Sequence, residues 1–224
     1  MLATIVNAAT ILLGSLIGLK LKSNIKENYK NLIMDGLGLT VIVIGLSSSI
    51  KTKMPTLIIV SLFIGAIIGE NLKLDEKLKN LSLFVEKKFD SDNNFAQAFM
   101  VSSLVYVVGA MAIVGSIEAG LSNNYTTLYA KSVLDGISSI IFASTLGIGV
   151  MFSIIPVIIY QGSITLLASF FAKYFTTSLI NEVSAVGGVL IIAIALNLLV
   201  VKRVKVANLL LSLFIPIIYF LVFR

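Results

Sequence analysis

Between Asp135 and Lys173 the chain runs for 37 residues without a single charge. A soluble helix must show one face to water, so charges recur along it every few turns. An uncharged stretch of this length belongs in hydrocarbon. As one helix it would extend about 55 Å at 1.5 Å per residue, whereas the bilayer core is about 30 Å thick. Two spans with a tight turn near Met151 to Pro156 are therefore expected. The rest of the chain follows the same pattern, with long uncharged segments separated by short lysine-bearing ones. Of 224 residues, 58% are hydrophobic and 12% charged, about half the charged share of a soluble domain.

This patterning predicts an all-α polytopic membrane protein with about eight spans, near residues 3–20, 34–50, 55–71, 96–117, 132–150, 152–172, 183–201 and 206–223. The first residues, Met1 to Asn7, lack the basic group that precedes a secretory signal, so a retained first helix is expected. Lysine and arginine set its direction. One set of connecting segments holds twelve (Lys20, Lys22, Lys26, Lys30, Lys73, Lys77, Lys79, Lys87, Lys88, Lys202, Arg203 and Lys205) and the other holds five (Lys51, Lys53, Lys131, Lys173 and Arg224). The positive-inside rule puts the twelve in the cytoplasm and both termini outside. The net charge of +6 is thus explained by loops and anionic headgroups, and no nucleic-acid partner is expected.

The sequence also carries an internal match. Asn7 to Ser15 aligns with Gln161 to Ser169, Gly38 to Leu46 with Gly188 to Leu196, and Ser61 to Ile64 with Ser212 to Ile215, at offsets of 154, 150 and 151 residues. Spans one to three then resemble spans six to eight. Five spans separate the two units, so they enter the membrane from opposite sides, an inverted repeat of the kind common in secondary transporters. The expected organisation is a single transmembrane domain. It comprises unit one at 1–71, a cytoplasmic amphipathic linker at 72–95, a central helix pair at 96–150, and unit two at 151–224. The linker reads equally well as an interfacial helix or as a solvated connection.

Chemistry is restricted by what is missing. The chain has no histidine, cysteine or tryptophan, which removes the residues behind most metal sites and nucleophilic triads. No enzyme activity, metal or cofactor is expected. An aspartyl pair of Asp35 and Asp135 is excluded too, because these residues open helices on opposite sides in this topology. Glycines at 109, 115 and 120 are expected to interrupt span four, and broken helices at depth face protein or a water-filled cavity. Lys131 and Asp135 stand one helical turn apart and can pair. A solute or ion path built from Glu118, Asp135 and Lys131 is expected, with Gly109, Gly115, Ser116, Ser139 and Ser144 supplying backbone or hydroxyl ligands. The blander alternative makes the three charges wetted residues at the outer interface. Asn7, Gln161 and Asn197 are expected to hydrogen-bond between helices or to line that path. Asp35 reads as a first-turn acid of span two, Glu182 as a residue preceding span seven, and Glu70 as an acid poorly placed at a helix C-terminus. Gly14/Gly18 and Gly65/Gly69 form G-x-x-x-G faces, read mainly as ordinary helix packing and also as surfaces for a homodimer or larger assembly.

Several segments resemble domain-of-unknown-function family 554, bacterial inner-membrane proteins of the YqgA/YdfK type. They are Asn7-Ala-Ala with Leu12-Leu-Gly14, Gly65-Ala-Ile-Ile-Gly69-Glu70, Gly109-Ala-Met, Gly115-Ser-Ile-Glu118-Ala-Gly120-Leu, Lys131-Ser-Val-Leu-Asp135, Phe142-Ala-Ser-Thr-Leu-Gly147-Ile and Ser184-Ala-Val-Gly-Gly188. The resemblance covers essentially the whole chain. It implies a bacterial plasma membrane and a transport-type protein, and it names no solute. Together these readings favour a carrier or channel-like transporter of a small solute or ion. The alternative is a non-transporting membrane scaffold or accessory subunit.

Overall fold

The computed structural model describes residues 1–22, 27–89, 95–108, 110–168 and 176–223, and every regular element among them is helical. In chain order these are α1 (Leu2–Lys22), α2 (Glu27–Ser49), α3 (Pro55–Asn71), α4 (Leu74–Phe89), α5 (Phe95–Val107), α6 (Ala110–Leu121), α7 (Thr126–Leu146), α8 (Gly149–Phe152), α9 (Ile154–Leu166), α10 (Thr177–Leu198), α11 (Val206–Leu209), a 3-10 turn (Leu210–Leu213) and α12 (Phe214–Phe223). Five helical segments are long and apolar enough to cross a membrane: Leu2–Lys22, Leu32–Ser49, Gly149–Leu166, Thr177–Leu198 and Val206–Phe223. Two further candidates are helix pairs bent by 55°, α3 with the start of α4 and α5 with α6, which raise the number to seven. α7 matches these segments in length with 21 residues, but Lys131, Asp135 and its many hydroxyls keep it from standing among them on composition alone.

Glycine decides how the helices meet. A Cβ at Gly14 would overlap the Gly136 carbonyl oxygen, and one at Gly18 the Ile140 carbonyl oxygen, so α1 and α7 run parallel with their backbones in contact. Likewise α2 lies antiparallel to α10, with Gly45 against Gly188 and Gly38 against Leu199. α3 lies antiparallel to the last helical segment, with Gly65 on Ser212 and Gly69 on Asn208. Toward its C-terminus α6 meets the C-terminal end of α9, where Gly120 faces Thr165. Both G-x-x-x-G faces are therefore filled within the chain, as the packing reading expects, and a homo-oligomer needs other surfaces. Around these contacts the largest buried cluster includes Ile11, Val41, Val101, Leu146, Leu190 and Ile191.

Several boundaries differ from expectation. The turn expected near Met151 to Pro156 lies at Gly147–Ile148, because Gly147 (φ 96°) adopts a backbone that other residues resist. Pro156 instead sits in the first turn of α9, where its missing N–H costs little. α2 begins at Glu27, so Asp35 lies in its third turn and is exposed rather than in its first. α10 begins at Thr177, which puts Glu182 inside the helix and buried rather than ahead of it. The linker folds as helix α4, whose Asp75 N–H donates to the Asn208 side-chain oxygen at 2.7 Å. Gly115 and Gly120 do not interrupt span four; both lie within α6 and make room for α7 and α9. α5 ends at Val107 and α6 begins at Ala110, so of the three glycines only Gly109 stands at the interruption.

Candidate functional site

Four helices, α1, α6, α7 and α9, pack around one another, and their shared interior is polar where α1, α7 and α9 meet. On α7, Lys131 and Asp135 are four residues apart and so share a face. The Lys131 ammonium donates a hydrogen bond to Asp135 Oδ2. Both residues are almost wholly enclosed, at 5% and 6% exposure, so they are not wetted at an interface. With α7 starting at Thr126 rather than near residue 132, Asp135 is the tenth of its 21 residues, about 14 Å along a helix about 30 Å long. That is close to the middle of the helix.

The other two members lie 154 residues apart in the sequence. Asn7 of α1 donates from Nδ2 to Asp135 Oδ2 at 3.0 Å and to Gln161 Oε1 of α9 at 3.3 Å. Asn7 and Gln161 are both fully buried, and they are counterparts in the internal sequence match. α5 adds a residue that sequence reasoning missed. The Tyr106 hydroxyl lies 2.8 Å from Ser139 Oγ, which itself donates to the Asp135 carbonyl oxygen at 2.7 Å. Because the serine proton is committed there, Tyr106 is the donor. Its ring also sits 5.9 Å from the Lys131 ammonium, within the range where a cation is drawn to an aromatic face. The signal available in the sequence was a tyrosine in an apolar span, since a buried phenol needs a hydrogen-bond partner.

This network is incomplete. Among the described residues, Asn7 Oδ1 and Gln161 Nε2, an acceptor and a donor on hydrogen-bonded neighbours, are buried without partners. So are the hydroxyls of Thr4 on α1, Ser116 on α6 and Thr165 on α9. Buried polar atoms are normally paired with protein or ordered water, and each unpaired one costs about 1–3 kcal/mol. Most of the unmet buried donors and acceptors found among the described residues thus lie in this one bundle.

Of the expected path residues, Lys131, Asp135, Ser139, Asn7 and Gln161 come together. Glu118 does not join them. It is half-buried at the end of α6 and accepts from Thr127 Oγ1 at 2.7 Å. Ser144 bonds back to the Ile141 carbonyl at 2.8 Å on the outer side of α7. Gly115 packs against Leu128 and Thr127, Ser116 is buried with its hydroxyl free, and Gly109 lies outside the described residues. Asn197 bridges no helices; its side-chain amide clamps the N–H and carbonyl of Val204, at 2.7 and 2.9 Å. Glu70 is offset by Lys205 at 2.9 Å and Asn208 at 2.5 Å. The Glu70 oxygen holds the Lys205 ammonium above its ordinary pKa.

The family described as "Protein of unknown function (DUF554)" matches residues 2–221. The chain is 37% identical over 220 residues to the "Uncharacterized membrane protein YdfK" of Bacillus subtilis (strain 168), covering 96% of this chain and 94% of that one. It is 30% identical over 213 residues to the "Uncharacterized protein YqgA" of Escherichia coli (strain K12), covering 92% and 90%. No solved structure matches significantly. With a family match across nearly its whole length and a membrane-protein relative of similar size, the chain belongs to the DUF554 family of uncharacterised membrane proteins.

Proposed function

We propose that this protein is a secondary transporter of a small polar solute or ion in the bacterial plasma membrane, built as eight spans in an inverted repeat. α5 with α6 serves as one broken span, α7 as the fifth, and α8 with α9 as the sixth. The helix directions support this count, since each observed parallel or antiparallel pair is the one that alternating spans require. They also support the repeat. Around a two-fold axis an element meets its own counterpart. Here α1 contacts α9 through Asn7 and Gln161, α2 packs on α10, and α3 packs on the last helical segment. Lys131 and Asp135 then stand on the central pair between the units, where transporter sites commonly lie. Both termini face outside in this reading, as the lysine and arginine asymmetry requires.

The single observation that carries the function is the junction of Asn7, Gln161 and Asp135. One amide from each unit meets the other at mid-depth in this reading, and Asn7 also donates to the Asp135 carboxylate, with a free donor and a free acceptor beside them. A solute that satisfies those atoms would replace the Asn7–Gln161 bond and so couple its binding to the packing of the two units. Charged residues at this depth are costly unless paired and usually mark solute or proton pathways. Currents from proteoliposomes on a solid-supported membrane, measured over a panel of ions and small metabolites, test the proposal. At least one solute should evoke a current that Asp135→Asn abolishes while the protein stays folded. Identical currents from Asp135→Asn and the unaltered protein would refute it.

A further inference from the structure

A second polar place shares no residue with the Asp135 junction. Glu182 of α10 is 2% exposed, and its carboxylate accepts from Thr52 Oγ1 at 2.5 Å and from the Lys53 backbone N–H at 2.8 Å. No ion pair to it is found among the described residues. Two hydrogen bonds occupy only part of a carboxylate's capacity of about four, and a buried charge without a counter-charge is strongly unfavourable. Glu182 also lines a cavity of about 370 Å³. Tyr219, Phe220 and Phe223 line it as well, together with Asn181 and the exposed Lys53. Space, an unpaired buried anion and three aromatic rings therefore meet in one place. Aromatic faces attract cations, quaternary and primary ammonium groups among them.

We propose that this cavity binds an ammonium group, seated on Glu182 against the rings of Tyr219, Phe220 and Phe223. The Lys53 side chain repels a second cation and suits ligands that carry an anionic group beyond the ammonium. Such chemistry occurs both in free amines and in the headgroup of a zwitterionic phospholipid. The site does not depend on the transport reading, because it shares no residue with the Asp135 junction.

Equilibrium dialysis of radiolabelled ethanolamine against the full chain in a maltoside detergent tests the site, with tetramethylammonium as competitor. Saturable binding displaced by tetramethylammonium is expected. Glu182→Gln should weaken it by about tenfold or more, the share of a charge-assisted contact. Tyr219→Leu, which leaves the carboxylate and its hydrogen bonds in place, should weaken it about two- to fivefold and keeps the test decisive if Glu182→Gln does not fold. Native mass spectrometry separates the two sources. Preferential retention of phosphatidylethanolamine over phosphatidylglycerol, lost in Tyr219→Leu, assigns a lipid headgroup; ethanolamine binding without that preference assigns a soluble amine. Absence of saturable ethanolamine binding together with equal retention of both lipids overturns the proposal, as does unchanged binding in both variants.

Discussion

Substitution of Asp135 tests the buried junction directly. Asp135 and Lys131 are 6% and 5% exposed, so neither charge can be rescued by water without opening the bundle. Removing one member of such a pair typically costs about 3–5 kcal/mol, because the other charge stays buried. Asp135→Asn keeps the shape and an oxygen that can still accept from Asn7, so the loss isolates the ion pair. Lys131→Met should cost less, since the remaining carboxylate keeps its 3.0 Å bond from Asn7 and can neutralise itself by taking up a proton. Removing both charges leaves no unpaired ion, and contacting pairs couple by about 0.5–3 kcal/mol. The double variant should therefore melt above Asp135→Asn. At about 2–4 °C per kcal/mol for a chain of this size, a loss near the lower bound of the range lowers the melting temperature by about 6–12 °C. Size-exclusion chromatography after stepwise heating in detergent reads this out. Single variants that melt like the unaltered protein, or a double variant showing the simple sum of the two losses, would refute the reasoning.

Three further outcomes are expected. The chain has no cysteine, so single cysteines at Asn123, Lys73 and Lys202 report topology; an impermeant thiol reagent should label position 123 in intact cells and spare the other two, and the reverse pattern would invert the proposed orientation. Gly69→Val drives a side chain into the Asn208 backbone and should lower stability by at least the 1–3 kcal/mol typical of overpacking, seen as early aggregation on heating, whereas Gly36→Ala, with nothing near its Cβ, should melt normally. Lys205→Ala removes an ion pair whose two side chains are each 61% exposed; such pairs contribute little, so an unchanged melting temperature is expected, and a large drop would mean that the Glu70–Asn208 contact depends on it.

What the sequence settled by itself follows from local physics. Charge segregation placed the chain in a bilayer, since an ion in hydrocarbon is costly wherever its helix packs. The spacing of Lys131 and Asp135 put them on one face, because the helical period alone sets that. The internal match made Asn7 and Gln161 counterparts. Their meeting was not legible, nor was the arrival of Tyr106 at Ser139 or the burial of Glu182 beneath the Thr52–Lys53 turn. These depend on which helices approach and in what register, and the glycines at 14, 18, 45, 65, 69 and 188 decide that through backbone contact. Hydrophobicity could not stand in for that information. On α7, Leu128 is fully buried and Leu134 is 55% exposed, yet both are leucines, because lipid tails and protein interiors are equally apolar. In water the solvent marks the outside of a helix. In a bilayer only the packed neighbours do, and so tertiary structure alone separated the polar junction from the faces turned to lipid.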